Sequence, residues 1–336
     1  MPDLSPARLV RGYRPLILGL GGIAALLVFV DAGSLASALE AFDLRLLPIL
    51  MALATADYAL RFLRWRLLVA EATGSKPPLL ADIAIFLAAN TLLLTPARAG
   101  DFTRSLWARN LFGTPVARTA PVPLLERVAD VAMMGVLAGA GALAFGAAEW
   151  STAAILVAIP VLFALIVLTL VLPTSTWLNR LAARRPGVAS FFATLHALWR
   201  PRPLAIAAIL GAAAWAIECV MFFVVLAGLG LDATPRLLAE AAFIYPTATL
   251  AGSLSLLPGG LGIAEASTAA LSLSLTAADA STAIAAALLI RLAIVGFGIA
   301  TGIPGLLYVW RAHRAAPILT AHSPSPALTE TQPRAA

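Results

Sequence analysis

Charge is scarce in this sequence: Asp, Glu, Lys and Arg make up 12% of 336 residues, about half the share of a soluble domain. The apolar share is 61% and the mean hydropathy is +0.93, more apolar surface than a water-soluble fold of this length can bury. A soluble enzyme, a disordered chain and a disulfide scaffold are thereby excluded, and the solvent is a bilayer. The single cysteine, Cys219, permits no intrachain disulfide. Histidine is almost as rare. His196, His313 and His322 fall in loop or tail, so no metal-ligand spacing and no Ser/His/Asp arrangement is present, and neither a metal nor another cofactor is expected. A nucleotide-binding glycine loop is also missing. The net charge of +6 comes from arginines between apolar runs, which read as topology and contact with anionic lipid heads rather than with nucleic acid.

What is present is a series of long apolar runs, the pattern of an all-α polytopic integral membrane protein. Six runs have about the 20 residues a spanning helix needs, at roughly 15–30, 44–69, 118–147, 151–172, 203–229 and 282–310. Two more, about 79–112 and 237–276, are broken by Thr95-Pro96-Ala97-Arg98-Ala99-Gly100-Asp101 and by Leu257-Pro258-Gly259-Gly260-Leu261-Gly262. Irregular backbone within a bilayer survives only beside protein or a water-filled cavity. The short pieces favour re-entrant hairpins, while double spans would leave every loop on the same side. Arg8, Arg11 and Arg14 place residues 1–14 in the cytoplasm, and Arg64, Arg66, Lys76, Arg104, Arg109 and Arg118 follow on that side. The loop 173–202 and the C-terminal tail, 311–336, land there too. Arg14, the first apolar run and Ser34-Leu35-Ala36-Ser37-Ala38 also admit a cleavable signal peptide, without altering the other sides. In the loop, Val188, Phe191, Phe192, Leu195, Leu198 and Trp199 share one helical face and predict a short interfacial helix. The tail is rich in Pro, Ala, Ser and Thr and predicts disorder.

The two breaks match. Pro96 and Pro258, Gly100 and Gly262, and the lone span arginines Arg127 and Arg291 lie 162, 162 and 164 residues apart. Each half thus holds a break, a short helix and an arginine-bearing span, in units of about 79–147 and 237–310. On the arginine topology the first hairpin enters from the cytoplasm and the second from outside, which makes an inverted repeat. Pro/Gly-interrupted segments at matching places in two halves mark transporter sites.

Ionisable residues within spans cost about 2.5–3.5 kcal/mol each on insertion scales. Asp101 and Glu265 open the short helices after the breaks, where a carboxylate serves as a helix cap or, with Arg98, as part of a site for an anionic headgroup. Glu126, Arg127 and Asp130 share one helix face, as do Asp57 and Arg61. Arg61, Arg64 and Arg66 with Trp65 also fit a belt snorkelling to the cytoplasmic edge. Arg291 has no acidic neighbour in sequence, and Glu265 is its natural partner; Arg127 has Asp130 or Asp101. Glu218 and Glu240 are less informative, since a place near an interface would accommodate either.

Asn90…Pro96-Ala97-Arg98-Ala99-Gly100-Asp101…Arg104, Glu126-Arg127…Asp130, Pro258-Gly259-Gly260-Leu261-Gly262-Ile263-Ala264-Glu265 and Arg291 resemble the lysylphosphatidylglycerol synthase transmembrane family over about residues 46–310. The family pattern has Glu where this chain has Asp101. The resemblance implies a flippase-like domain of a bacterial inner membrane that moves lipids between leaflets. A standalone member, without the synthase domain and its aminoacyl transfer, is expected. Some such members accompany hopanoid biosynthesis, and an Ala- and Arg-rich chain with one lysine fits a GC-rich bacterial genome. The candidate headgroup site is then Arg98, Gly100, Asp101, Arg104, Glu126, Arg127, Asp130, Pro258, Gly259, Gly260, Gly262, Glu265 and Arg291, with Asp57 and Arg61. A lipid flippase is the leading reading. An accessory scaffold for lipid-synthesis enzymes and a carboxylate-dependent membrane enzyme are the alternatives.

Overall fold

The computed structural model describes residues 32–93, 100–146, 185–255 and 257–315, and the regular structure among them is helical throughout. The predicted spans at 15–30 and 151–172, Arg98 with the rest of the first break's core, and residues 316–336 of the tail lie outside the described residues. In chain order the helices are α1 (Ala32–Glu40), α2 (Leu47–Thr73), α3 (Leu79–Asn90), α4 (Thr103–Phe112), the single turn α5 (Val116–Thr119) and α6 (Pro121–Ala144). They continue as α7 (Pro186–Leu198), α8 (Pro201–Gly228), α9 (Pro235–Leu254), α10 (Ile263–Leu275), α11 (Ala280–Arg291) and α12 (Phe297–Ala315). A π-helical segment, Leu292–Gly296, joins the last two.

Five stretches among the described residues are long and apolar enough to cross a membrane: Leu44–Thr73, Val116–Ala144, Pro201–Gly228, Pro235–Leu254 and Ala280–Ala312. The protein is an all-α, multi-pass membrane protein. The two broken runs are unequal. In the first, α3 has 12 residues and α4 has 10. In the second, α9 has 20 and reaches spanning length alone, while α10 has 13.

Proline stands in the first turn of α2, α6, α7, α8 and α9, where an N–H would have no helical partner. Thr234 caps α9 by accepting the Leu237 N–H at 3.1 Å, and Asp279 caps α11 by accepting that of Thr282 at 2.7 Å. Inside the bundle, close backbone approach replaces large side chains. On α12, Gly302 and Gly305 face α3 so closely that a Cβ on either would lie 2.7 Å from a backbone carbonyl, of Leu87 and Ala84 respectively. At the second break Gly260 has φ +69°, and a Cβ there would meet the Gly252 backbone at 2.9 Å. Both the backbone conformation and the space therefore require glycine.

The apolar core lies where α6, α8 and α9 meet, with Met221, Phe222, Val225 and Leu226 of α8 fully enclosed against Phe243 and Ile244 of α9. α2 lies along α8 and also touches α6 and the π segment. The predicted interfacial helix forms as α7, and Leu195 and Leu198 of its apolar face are buried. α7 packs on α5, α6 and α2, so that face is covered by protein.

Candidate functional site

The site begins on α2. Asp57, Arg61 and Arg64 are spaced by four and then three residues, so they lie on one helical face, and each is buried. That face meets α6, which carries Glu126, Arg127 and Asp130, and α8, which carries Glu218. Arg61 donates from Nε to both Asp57 oxygens, at 2.9 and 3.0 Å, and from Nη2 to Glu218. Its Nη1 lies 4.0 Å from Asp130. Arg64 donates to Asp130 from Nη1 at 2.7 Å and from Nη2 at 3.4 Å, and its Nε is 3.8 Å from Glu126. Glycine on α8 makes this possible, because a Cβ at Gly211 would stand 2.7 Å from Arg64 Nη1.

The first break closes the same cluster from another direction. Arg104 on α4 donates to Glu126 at 2.8 Å and to the Asp101 carbonyl at 3.1 Å. Its guanidinium lies 4.5 Å from the Trp65 ring centroid, a cation–π contact that holds the cation within the apolar wall. Arg127 bridges Asp130 at 3.0 Å and Asp101 at 3.5 Å. Among the described residues, four guanidinium groups and five carboxylates thus meet on four elements. An isolated ion in such a place is prohibitively costly, and only mutual pairing with well-formed hydrogen bonds holds the group together.

Between them is a cavity of about 30 Å³, lined among others by Asp57, Asn90, Asp101, Arg104, Glu126 and Glu218. That is room for water and not for a headgroup. Among the described residues, three buried polar atoms beside it make no hydrogen bond: Asn90 Nδ2, Arg64 Nε and Glu126 Oε1. Tyr58 lines the cavity too, and its hydroxyl donates to the Ile294 carbonyl at 3.0 Å. Ile294 sits in the π segment, where the altered helical ladder presents carbonyls out of register.

The second break builds a smaller constellation. Glu265, in the first turn of α10, accepts the Gly262 N–H at 2.6 Å and also binds Arg291 Nε. Arg291 Nη2 reaches the Gly259 carbonyl. Pro258, Gly259, Gly260 and Gly262 shape this turn and do not line the cavity. Tyr245 on α9 is buried against Trp215 and Phe222 of α8, near Glu218 and Arg291. Both predicted arginine pairs are therefore present. The acid and its arginine are 26 residues apart in each half, Asp101 with Arg127 and Glu265 with Arg291.

One sequence reading requires correction. Arg64 and Arg66 do not form a snorkelling belt: Arg64 is 1% exposed, and Arg66 donates to Asp82 at 2.7 Å while Trp65 donates to the other Asp82 oxygen at 3.0 Å. Glu218, uninformative in the sequence, is 4% exposed and bound to Arg61. Asp82, Tyr58, Tyr245 and Gly211 were not singled out from the sequence at all. Glu240 is buried at the start of α9 and held at 2.8 Å by Arg236, apart from the cluster.

No curated protein matches the chain. Residues 16–302 match the family described as Lysylphosphatidylglycerol synthase TM region. The chain belongs to that family.

Proposed function

We propose that this protein moves phospholipids or other polar-headed lipids between the leaflets of a bacterial inner membrane, with both termini cytoplasmic and without making or breaking covalent bonds. The observation that carries this reading is the cluster of four guanidinium and five carboxylate groups buried around the water-sized cavity at the first break. Family membership supports an association with lipids. Guanidinium groups match phosphate oxygens in pairs, so an entering head trades places with the carboxylates that hold them. In the closed arrangement described here the cavity admits only water. The reading therefore includes an outward shift of α4, the short helix that carries Arg104 and touches α3 and α12. Arg98 belongs to this site on the sequence reading.

An accessory scaffold has no use for so many buried charges, each costly to insert. The test is leaflet exchange of labelled phosphatidylglycerol, phosphatidylcholine and a hopanoid in proteoliposomes. Exchange of a phosphate-bearing lipid faster than in protein-free liposomes, and slowed at least tenfold by Arg61→Gln, supports transport. Wild-type exchange no faster than in protein-free liposomes for every lipid returns the scaffold to the lead.

A further inference from the structure

The carboxylates in the cluster are not matched evenly to cations. Asp101, Glu126 and Asp130 draw on Arg64, Arg104 and Arg127, three against three. Asp57 and Glu218 draw on Arg61 alone among the described residues within 4.0 Å, and Arg61 also approaches Asp130 at 4.0 Å. Two negative groups that share one cation are poised for one of them to hold a proton.

The surroundings of this triad offer little further positive charge. On α2 its neighbours are Tyr58 and Arg64, the latter already held by Asp130. α6 contributes Glu126, Arg127 and Asp130, and α8 contributes the buried Cys219 beside Glu218. From α9 comes Tyr245, and beyond it Arg291 of α11, which is committed to Glu265 and the Gly259 carbonyl. Across the cavity stand Asp101 and Arg104, and the latter is bound to Glu126. α3 adds Asn90 to the cavity wall, while its Asp82 is bound to Arg66. α7, which also packs on α2, brings only His196, exposed on its outer side.

With one proton already shared between Asp57 and Glu218, a phosphate that enters and takes Arg61 would leave the remaining ionised carboxylate buried with no cation, a state that a second proton relieves. The means of bringing the proton is at hand. Asp57 and Glu218 both line the 30 Å³ cavity, which is large enough for about two waters. Its orphaned Asn90 Nδ2 and Glu126 Oε1 are the donor and acceptor such waters need. Asn90 is 5% exposed, and among the described residues its Nδ2 has no hydrogen-bond partner, so a polar guest in the cavity would satisfy it.

We propose that the Asp57–Arg61–Glu218 triad couples lipid movement to protons. At rest one of Asp57 and Glu218 holds a proton and the other holds Arg61; one further proton from the water on the side of entry joins the ionised one as the lipid phosphate takes Arg61. As the lipid leaves, that carboxylate rebinds Arg61 and releases the proton to the other side. One anionic lipid and one proton cross together, with no net charge moved. This rests on the lipid-transport reading, and supplies its driving force.

The test places the full chain in phosphatidylcholine vesicles with a trace of labelled phosphatidylglycerol, holds the membrane potential at zero, and imposes a pH difference. Coupling one to one predicts enrichment of the label in the leaflet facing the alkaline side, approaching about tenfold per pH unit, and reversed when the gradient is reversed. Asp57→Asn and Glu218→Gln should each abolish the enrichment, and Asp57→Glu should retain it. A second measurement needs only the wild type. Calorimetric titration of the detergent-solubilised protein with short-chain phosphatidylglycerol, in two buffers of different ionisation enthalpy, should report uptake of about one proton per lipid bound. Fast exchange with equal leaflets under every gradient, or lipid binding without proton uptake, overturns the coupling and leaves transport standing. Exchange no faster than in protein-free vesicles at any gradient overturns transport and the coupling with it.

Discussion

The two halves solve the same problem differently. Each places an acid at the start of a short helix and, 26 residues later, an arginine that binds it. In the second half the pair is closed. Glu265 spends its other oxygen on the Gly262 N–H, and Arg291 also donates to the Gly259 carbonyl of the same turn. Three glycines there, Gly259, Gly260 and Gly262, hold positive φ, a backbone path that favours glycine, and with the ion pair the turn forms a latch. In the first half Gly100 serves only for space, since a Cβ would collide with Leu92. Asp101 and Arg127 there join a cluster whose members exchange partners across 2.7–4.0 Å. The matching acid and arginine are thus a self-contained pair in one half and members of a larger network beside a water-sized cavity in the other.

Replacing Arg64 with Gln should have the largest effect, because Asp130 and Glu126 lose a shared cation inside the protein. Breaking a buried pair in this way costs about 3–5 kcal/mol, visible as a large fall in thermal stability in detergent, and Asp130→Asn should recover part of it. Arg291→Gln should cost less, about 2–3 kcal/mol for charged hydrogen bonds lost. Its effect should be local, appearing as faster hydrogen exchange at residues 257–262 without change around Asp57. If Arg291→Gln proves as damaging as Arg64→Gln, the contrast between latch and network is wrong.

Gly211→Ala sharpens the comparison by reaching one half only. The added methyl pushes Arg64 away from Asp130 and should cost about 1–2 kcal/mol of overpacking, while Glu265 and Arg291 stay paired. Asp279→Ala belongs to neither network and should cost the least, about 0.5–1 kcal/mol for a lost helix cap. The Thr282 backbone N–H holds the Asp279 carboxyl below its usual range. Its contribution is therefore full above the unfolded carboxylate value of about 3.9 and disappears as pH falls through the lower folded value. Melting curves of the wild type and Asp279→Ala should converge in strong acid.

Much of this was legible in the sequence because the bilayer punishes exceptions. Apolar runs longer than a globular core needs marked the spans, and the Pro/Gly cluster at 257–262 marked the turn ahead of α10. Asp57 with Arg61, and Arg127 with its two acids, followed from helical spacing and the cost of a lone ion. Arg64 was ambiguous because Trp65 and Arg66 beside it are what a membrane edge also selects. Only the crossing of α2 over α8, with Gly211 at the contact, shows that it points inward. Glu218 stands alone in an apolar helix, and no local spacing names Arg61, 157 residues away, as its partner. The π segment has nothing in Leu-Ala-Ile-Val-Gly to announce it. The Tyr58 hydroxyl and the close approach at Gly298 become evident only in the folded chain.

The central claim is that lipid heads enter the first-half network and not the second-half latch. A phosphatidylglycerol carrying a photoreactive group on its head, crosslinked to the protein in vesicles and mapped by mass spectrometry, tests it most directly. The account predicts adducts on α2, α4, α6 and α8 around Asp57, Arg104, Glu126 and Glu218, reduced when excess unlabelled phosphatidylglycerol competes. Adducts confined to residues 257–265, or spread over the outer helix faces and unaffected by competitor, would contradict it.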